Sequence, residues 1–535
     1  MKKILAATLG DCVHVAGINN FLNLCKSFGY KTIFLGTRVP IETIKDYIRK
    51  EKPDFVALSY RLNSETFSKI LTQIRNLSLH KESRLIFGGT PDVAFLAKRS
   101  GLFVKSFDGT ESIEEIQSFI SGKRIKSSIK KHSLNLRERL LEKRPLIRHH
   151  YGRPSLKETL GGLQKIALSG VCDIISIGPD QNTQQFFFKP EKRDSSKDGA
   201  GGVPLKNLKD FIKIYKVTRR GNFPLLRCYA GTEDLLKWAK MLHKTIHNAW
   251  GAIPLCWYSR LDGRSDRPLY SAIVENQEVI RWHAKNNIPV EINEPHQWSL
   301  RQAHDSLTVF MAFLAAFIAK ELKVKDYICQ YMFNTPPGLS PVMDLAKMLA
   351  QKEIVESLSS SSFRIYTMVR AGLKSLSGDF AVAKGELSSS TVLSMALNPD
   401  IVHVVGFSEA DHAITADELI ESCKIVRGVI SKTSVDYPDL TLDPRVQKRK
   451  KEILKDVNLI LKTFDSIGKR TSPRTLFNAI KVGLIDAPDL AGNCEACGKI
   501  KTKIIDGACR PVSNKGILLS EKERIKQLKI DTKKL

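Results

Sequence analysis

Residues 2–17 read KKILAATLGDCVHVAG, a short apolar run followed by a polar loop and the beginning of a helical pattern. The apolar run has the length of one buried strand and is too short to span a membrane. A strand that leads through such a loop into a helix is typical of the first unit of a parallel α/β sheet. The beginning of the chain therefore predicts an α/β domain with a functional loop after its first strand.

The same alternation of strand and helix continues to residue 122. Because strands that are joined through helices run parallel, these residues predict a doubly wound, flavodoxin-like parallel sheet over residues 1–122. A ligand is expected at the carboxyl ends of its strands. The strands are predicted at 2–9, 30–37, 53–60, 83–89 and 102–109, and the helices at Val15–Phe28, Ile41–Arg49, Ser64–Leu77 and Pro91–Lys98.

Residues 123–150 are dense in lysine and arginine and predict a basic linker followed by a helix. One interpretation is a solvated connector. The alternative is a docking surface for nucleic acid, but the segment lacks the aromatic residues that stack on bases. The sequence therefore does not require a nucleic-acid partner.

Residues 151–435 repeat the strand and helix alternation on a longer period. Seven strands in this range predict a TIM-like (β/α)8 catalytic barrel with one strand unrecognised. A second open sheet is the alternative. The seven strands are predicted at 171–178, 223–230, 252–258, 288–293, 326–333, 363–369 and 401–407.

Residues 436–535 predict a helical tail that carries the cysteines Cys494, Cys497 and Cys509. The spacing of Cys494 and Cys497 is that of a zinc-binding pair, but a closed zinc site needs four ligands. Three interpretations stay open: a structural zinc completed by a distant residue, a three-cysteine zinc site open to substrate, and unliganded thiols.

The composition excludes several classes of protein. The chain has 42% hydrophobic residues, which is typical of a globular protein and not of a disordered one. No apolar run reaches the length of a membrane span, and Asp11 interrupts the N-terminal run where a signal peptide should continue. Ten scattered cysteines fit a reducing compartment. We therefore expect a cytoplasmic protein without membrane association. The net charge of +28 is assigned chiefly to connecting surface.

Three groups of residues follow strands of the predicted first sheet and meet at one edge of it. They are Asp11, His14 and Gly17 after the first strand, Ser59 and Leu62 at the end of the third, and Gly88 and Gly89 at the end of the fourth. This set resembles the D-x-H-x-x-G, S-x-L and G-G pattern of the cobalamin-binding domain shared by cobalamin-dependent mutases, methionine synthase and corrinoid methyltransferases.

The resemblance implies a role for four of these residues. His14 would coordinate cobalt as the lower axial ligand, and imidazole suits that metal. Ser59 would contact the displaced nucleotide tail, and Gly88 and Gly89 would leave room for it. The sequence departs from the family pattern at two places. Asp11 lies three residues before His14 instead of two, so Cys12 stands at the usual aspartate position, and Leu62 is one place late.

A barrel after a cobalamin domain resembles the adenosylcobalamin-dependent mutases of the glutamate mutase and aminomutase type. The resemblance implies a radical isomerase, with adenosylcobalamin preferred over methylcobalamin. Guanidinium groups bind carboxylates and a glutamate can hold an ammonium group, so the predicted strand ends suggest an amino acid or another small carboxylate as substrate. The candidate catalytic residues are Arg227, Tyr229, Arg260, Glu291, Glu294 and His296.

Two other functions remain open at this point. The first is a corrinoid-dependent methyltransferase in which a thiolate-bound zinc activates the acceptor. The second is a non-catalytic cobalamin sensor or carrier. The sequence leaves open whether pyridoxal phosphate assists and whether the chain forms a homo-oligomer.

Overall fold

The structure is a computed structural model that describes residues 2–111, 113–122, 132–229, 231–490, 495, 496 and 498–530. The chain divides into two compact units, Met1–Lys130 and Lys131–Leu535. Among the described residues, no helix combines the length and the apolar character needed to cross a membrane.

The first unit is a five-stranded parallel sheet with helices on both faces, as predicted. Its strand order is β2-β1-β3-β4-β5, so β2 lies on one side of β1, and β3, β4 and β5 follow one another on the other side. The strands are β1 (Lys3–Thr8), β2 (Lys31–Phe34), β3 (Phe55–Tyr60), β4 (Arg84–Gly89) and β5 (Lys105–Phe107), and the helices are α1 (Ala16–Ser27), α2 (Ile41–Glu51), α3 (Ser64–Asn76), α4 (Leu79–Glu82), α5 (Pro91–Ser100) and α6 (Ile113–Ser121).

The central strands of this sheet are apolar throughout because both faces are covered. Successive side chains of a strand point to opposite faces. In β1, Leu5 and Ala7 belong to one buried cluster, and Ile4 and Ala6 belong to another. A strand buried on both sides reads as a continuous apolar run, which is why the sequence pattern identified it.

The second unit contains a parallel barrel of eight strands in the order β8-β7-β6-β13-β12-β11-β10-β9. Between the two ends of this order, the Ala249 amide donates to the Leu226 carbonyl at 2.8 Å, so the barrel is nearly closed. Its strands are β6 (Leu146–Tyr151), β7 (Ile174–Ile177), β8 (Leu225–Cys228), β9 (Gly251–Ile253), β10 (Val290–Ile292), β11 (Asp326–Phe333), β12 (Arg364–Ala371) and β13 (Ile401–His403).

Helices surround the barrel and connect its strands. The most apolar of them is α14, whose residues are almost all buried. The helices are α7 (Leu136–Glu142), α8 (Leu156–Ser169), α9 (Gln181–Phe186), α10 (Leu208–Thr218), α11 (Leu235–Ile246), α12 (Leu269–Lys285), α13 (Pro295–Leu300), α14 (Asp305–Glu321), α15 (Pro341–Glu356), α16 (Phe380–Met395) and α17 (Ala416–Thr433).

The structure differs from the sequence prediction in the range 123–150. Its last part forms β6, which pairs with β7 on one side and with β13 on the other. This is the eighth barrel strand, and its sequence LIRHHY resembles a basic connector because Arg148 and His150 face the barrel interior, where apolar residues are more usual. Residues 123–131 lie outside the described part of the chain.

The C-terminal part is mostly helical, as predicted, but it also contains an antiparallel hairpin of β14 and β15. Helix α18 packs against α14 and α15, so this part extends the wall of the barrel. The elements are α18 (Pro444–Ile467), α19 (Pro473–Lys481), β14 (Lys501–Ile505), β15 (Ala508–Val512) and α20 (Glu521–Gln527).

Candidate functional site

The first unit has a cavity of about 600 Å³ at the carboxyl ends of its strands. This volume is within the usual range for small-molecule sites. Most of its wall is apolar and comes from α1, β3, β4, β5 and α6. The lining residues are Gly17, Ile18, Asn20, Phe21, Leu24, Ala57, Leu58, Ser59, Arg61, Ile86, Phe87, Gly88, Gly89, Phe107, Asp108, Gly109, Glu111 and Ile116.

The glycines of this cavity have different surroundings. A Cβ atom added at Gly17 or Gly88 would meet nothing within 4 Å, so the backbone there borders open space. A Cβ at Gly89 would lie 2.6 Å from the Tyr60 carbonyl oxygen and 2.7 Å from Val93 Cγ2. Gly17 and Gly88 therefore leave room for a ligand, whereas Gly89 permits close packing inside the sheet.

The loop after β1 presents His14 to solvent, just before α1. Its Nδ1 lies 3.6 Å from the Sγ of the buried Cys12. Asp11 does not contact His14 and instead forms an exposed ion pair of 3.0 Å with Arg38. The thiol of Cys12 thus occupies the place beside His14 where the family pattern has a carboxylate.

Ser59 and Leu62, which were also predicted for this site, differ in their burial. Ser59 is 7% exposed and lines the cavity. Leu62 is 39% exposed and is not part of the lining. The position two residues after Ser59 is occupied by Arg61, which does line the cavity.

The barrel has its own cavity of about 530 Å³ at the carboxyl ends of its strands, hereafter the barrel mouth. Four of the six candidate catalytic residues line it: Arg227, Tyr229, Glu291 and His296. The other lining residues are Arg148, Tyr258, Asn293, Gln297, Leu300, Gln330, Met332, Arg370, Leu373, Lys374, Leu376, Glu409 and Ala410.

The structure places the remaining two candidates, Arg260 and Glu294, outside this lining. Arg260 is exposed, and its Nε donates to the Asp266 carbonyl oxygen at 3.0 Å. The Glu294 carboxylate is buried and accepts from the Cys256 amide at 2.8 Å and from the Trp298 indole at 2.7 Å. Burial raises the pKa of Glu294 to about 8, although these two donors oppose the shift. Both residues support the loops around the mouth.

The charged centre of the barrel mouth is Glu291, which is 1% exposed. Its Oε2 accepts from Arg227 Nη2 at 3.0 Å and from the Trp250 indole at 2.7 Å, and Arg148 Nη1 lies 3.7 Å away. Burial alone would raise the pKa of this carboxyl, but Arg227 and Arg148 together hold the pKa below its ordinary value. Glu291 is therefore an ionised counter-charge to two buried arginines.

Several buried polar atoms of the barrel mouth have no hydrogen-bond partner among the described residues. Buried polar groups are normally paired, so a group of unpaired atoms around one cavity indicates a polar ligand. They belong to a guanidinium, two side-chain amides and an imidazole. These atoms are Arg227 Nε and Nη1, Asn293 Oδ1, His296 Nδ1 and Gln330 Nε2. Burial lowers the pKa of His296 to about 3, so this imidazole is neutral near neutral pH.

Four residues of the barrel interior were not predicted from the sequence: Arg148, His150, Arg370 and His403. His150 lies between Tyr229 and His403, with Nδ1 2.9 Å from the Tyr229 hydroxyl and 3.3 Å from His403 Nε2. Burial, followed by the nearby charge of Arg148, lowers the pKa of His150 well below its usual value. The available signal was the spacing of Arg148 and His150, two residues apart and hence on one face of a strand.

The C-terminal cysteine prediction is tested only in part. Cys494 and Cys497 lie outside the described residues. Cys509 is buried in β15, where its Sγ donates to the Gln302 carbonyl oxygen at 3.7 Å, and burial raises its pKa to about 12. Within the described part of the chain, no three His, Cys, Asp or Glu residues are grouped so as to hold a metal ion.

Comparison with known families identifies the first unit. Residues 2–116 match the model of the B12 binding domain, so this unit is a B12-binding domain. The match agrees with the sheet topology and with the open space beside Gly17 and Gly88. The match covers most of the first unit and does not extend into the barrel.

Solved structures give weaker similarities. One is a novel cobalamin-binding protein from Desulfitobacterium hafniense DCB-2, with 24% identity over 19% of this chain and 51% of that chain and a TM-score of 0.18. Another is the cobalamin-dependent S-adenosylmethionine radical enzyme OxsB, with 11% identity over 87% of this chain and 67% of that chain and a TM-score of 0.18. The chain thus spans about half the length of the first protein, and TM-scores this low carry no information on function. No curated protein matches the sequence.

The cavity of the first unit fits the nucleotide tail of a corrinoid. An apolar wall suits an aromatic base, and the bare backbone at Gly17 and Gly88 allows a bulky group to approach closely. Ser59 adds a buried hydroxyl. His14 lies on the loop at the same edge of the sheet.

Proposed function

We propose that this protein is an adenosylcobalamin-dependent isomerase that acts on an amino acid or another small carboxylate. The proposal rests on the combination of a B12-binding domain and a barrel mouth that contains three arginines, Arg148, Arg227 and Arg370. When bound, adenosylcobalamin supplies a carbon-centred radical by homolysis of its cobalt–carbon bond. The chain supplies the binding, the orientation and the exclusion of water.

The cofactor would be held by residues of the first unit. His14 would ligate cobalt through Nε2, since its Nδ1 faces Cys12. Cys12 stands at the family's aspartate position, so the thiol takes the place of the carboxylate that usually orients the metal-bound imidazole. Gly17, Ser59 and Gly88 would border the nucleotide tail.

The substrate would be held in the barrel mouth. The Arg227 guanidinium uses Nη2 for Glu291, while its Nε and Nη1 have no partner among the described residues. Each of these two nitrogens can donate a charge-assisted hydrogen bond to a carboxylate oxygen. Arg370 and Lys374 add positive charge to the same cavity. The barrel mouth therefore favours a substrate with at least one carboxylate.

Tyr229 would orient the reacting part of the substrate. Its ring lies over the Arg227 guanidinium at 4.9 Å, and its hydroxyl contacts His150. Burial keeps the His150 imidazole neutral, so the hydrogen bond between it and the Tyr229 hydroxyl joins two uncharged groups. The hydroxyl can therefore act as either donor or acceptor.

Reconstitution of the purified full chain with adenosylcobalamin tests this function. We expect binding, a light-sensitive absorption spectrum, and formation of cob(II)alamin when a carboxylate substrate is added. Binding of methylcobalamin but not of adenosylcobalamin would favour the corrinoid methyltransferase instead. Binding of adenosylcobalamin without turnover of any amino acid or carboxylate would favour a carrier or sensor.

The axial ligand is tested separately by the electron paramagnetic resonance spectrum of the bound cob(II)alamin. In protein that carries ¹⁵N-labelled histidine, a histidine ligand gives a two-line nitrogen splitting of the cobalt lines, distinct from the three-line splitting of the cofactor's own base, and His14→Ala should remove it. Cys12→Ser is the matched control, since it changes the neighbouring side chain and keeps the imidazole. Unchanged nitrogen splitting in His14→Ala would contradict the assignment.

A further inference from the structure

Three polar side chains that line the cavity of the first unit have no hydrogen-bond or ionic partner among the described residues: Asn20, Ser59 and Arg61. Ser59 is more than nine-tenths buried and belongs to the wall of the cavity. Polar side chains in a mostly apolar cavity wall orient a ligand through its polar groups. Arg61 lies two residues further along the chain, just after β3 ends at Tyr60.

The two acidic residues of the same cavity are already engaged. Asp108 Oδ1 accepts from the Thr110 amide at 2.9 Å and from the Thr110 hydroxyl at 2.6 Å. The Glu111 carboxylate accepts from the amides of Asp108 and Gly109, at 3.2 and 3.1 Å to Oε2. These bonds stabilise the turn after β5. Among the lining residues that the structure describes, Arg61 is the charged group without a partner.

The rest of the cavity selects for an apolar group. Phe21, Leu24, Phe87 and Phe107 belong to its wall. A ligand that satisfies this cavity combines an aromatic or apolar body with an anionic group near Arg61. The nucleotide loop of a complete corrinoid has this composition, because a phosphodiester joins its aromatic base to the rest of the cofactor.

We propose that Arg61 binds the phosphodiester of the corrinoid nucleotide loop and thereby makes the protein select complete corrinoids over cobinamide, which lacks the loop. The inference rests on the proposed binding of cobalamin by this unit. It concerns a residue particular to this chain, since Arg61 stands where the family's S-x-L pattern has leucine. Guanidinium and phosphate form charge-assisted hydrogen bonds that are stronger than neutral ones.

The test compares dissociation constants of three corrinoids for the full chain, measured by the change in absorption on binding. Cobalamin has the whole loop, cobinamide phosphate keeps a phosphate without the ribose and base, and cobinamide has neither. Arg61→Gln should weaken the binding of cobalamin and of cobinamide phosphate by roughly tenfold and leave cobinamide unchanged. Arg61→Lys should recover part of the affinity for the first two ligands, and Arg99→Gln, an exposed arginine on α5, serves as the matched control.

Each alternative outcome has a distinct meaning. Equal affinities of wild type and Arg61→Gln for cobalamin would overturn the inference, and so would an equal loss for all three corrinoids. Loss for cobalamin but not for cobinamide phosphate would also overturn it, because Arg61 would then contact the base. A wild-type chain that binds no corrinoid would contradict the proposed function itself. Because Arg61 is exposed, the variant should fold, and unchanged circular dichroism checks this.

Discussion

Gly88 and Gly89 are neighbours in β4 but should respond to substitution in opposite ways. Gly88→Val places its side chain in the open cavity, so the free energy of unfolding should change little while cobalamin affinity falls by more than tenfold. Gly89→Ala forces a Cβ against the Tyr60 carbonyl and should destabilise the first unit by about 1–3 kcal/mol. Urea unfolding and corrinoid titration of both variants measure the two effects. Strong cobalamin binding by Gly88→Val would mean that the tail does not enter here.

The sequence predicted which residues gather at this edge of the sheet but not what each one contacts. The placement followed from topology alone, because the ends of parallel strands meet at one edge. The ion pair of Asp11 with Arg38, and the approach of Cys12 to His14, depend on loop geometry that no periodic pattern records. The separate roles of Gly88 and Gly89 depend on the Tyr60 carbonyl of β3 and on the Val93 side chain of α5, whose positions are fixed by the packing of the sheet.

At the scale of elements, Glu291 connects β10 to β6 and β8 inside the barrel. Glu291→Gln would leave Arg148 and Arg227 buried without their counter-charge, and the barrel should lose about 3–5 kcal/mol of stability. Guanidinium chloride unfolding measures the loss. Arg260→Gln is the control, since this exposed side chain should change stability by no more than about 0.5 kcal/mol. Equal stability of the two variants would mean that the arginines find other partners.

The strands of the barrel show where sequence patterns succeed and where they fail. Seven strands were predicted because their apolar runs carry the usual signal of burial. The strand β6 was missed because Arg148 and His150 bring charge and polarity into the barrel interior, where Glu291 and Tyr229 supply their partners. Those partners lie in β10 and just after β8, so only the three-dimensional structure reveals that the polar residues of β6 belong to the barrel mouth.

For the whole molecule, the pH dependence of stability combines opposing contributions. Burial lowers the pKa of His283 to about 4, so the unfolded chain takes up a proton at this histidine more readily than the folded chain. The contribution of the neutral histidine to folding stability is therefore lost as the pH falls from about 6.5 towards 4. Burial raises the pKa of Glu294 to about 8, so its contribution is present at low pH and is lost as the pH rises from about 4.5 to 8.

Two variants separate these contributions. The loss of folding stability caused by His283→Gln should be about 2–3 kcal/mol smaller at pH 4.5 than at pH 7.5, because the wild type no longer has the contribution of a neutral histidine at the lower pH. The loss of folding stability caused by Glu294→Gln should instead become smaller as the pH rises from 5 to 8. Urea unfolding across this pH range measures both. A penalty that is independent of pH in both variants would contradict these assignments.

The two units have separate buried clusters, which predicts two unfolding transitions for the full chain. Cobalamin at 100 times its dissociation constant should stabilise the transition of the first unit by about 2.7 kcal/mol and leave the barrel transition in place. Differential scanning calorimetry with and without cobalamin measures this. An equal shift of both transitions would mean that the units unfold as one.

The pairing of β6 with β13 also determines when the chain can complete its fold during synthesis. Leu146 pairs with Ile401, so the first barrel strand leaves the ribosome roughly 250 residues before its closing neighbour, a delay of roughly 10–50 s at usual elongation rates. The first unit has no such dependence, since all of its strands precede residue 108. The cofactor domain can therefore be complete while the barrel is still open and its apolar strands are exposed to chaperones and aggregation.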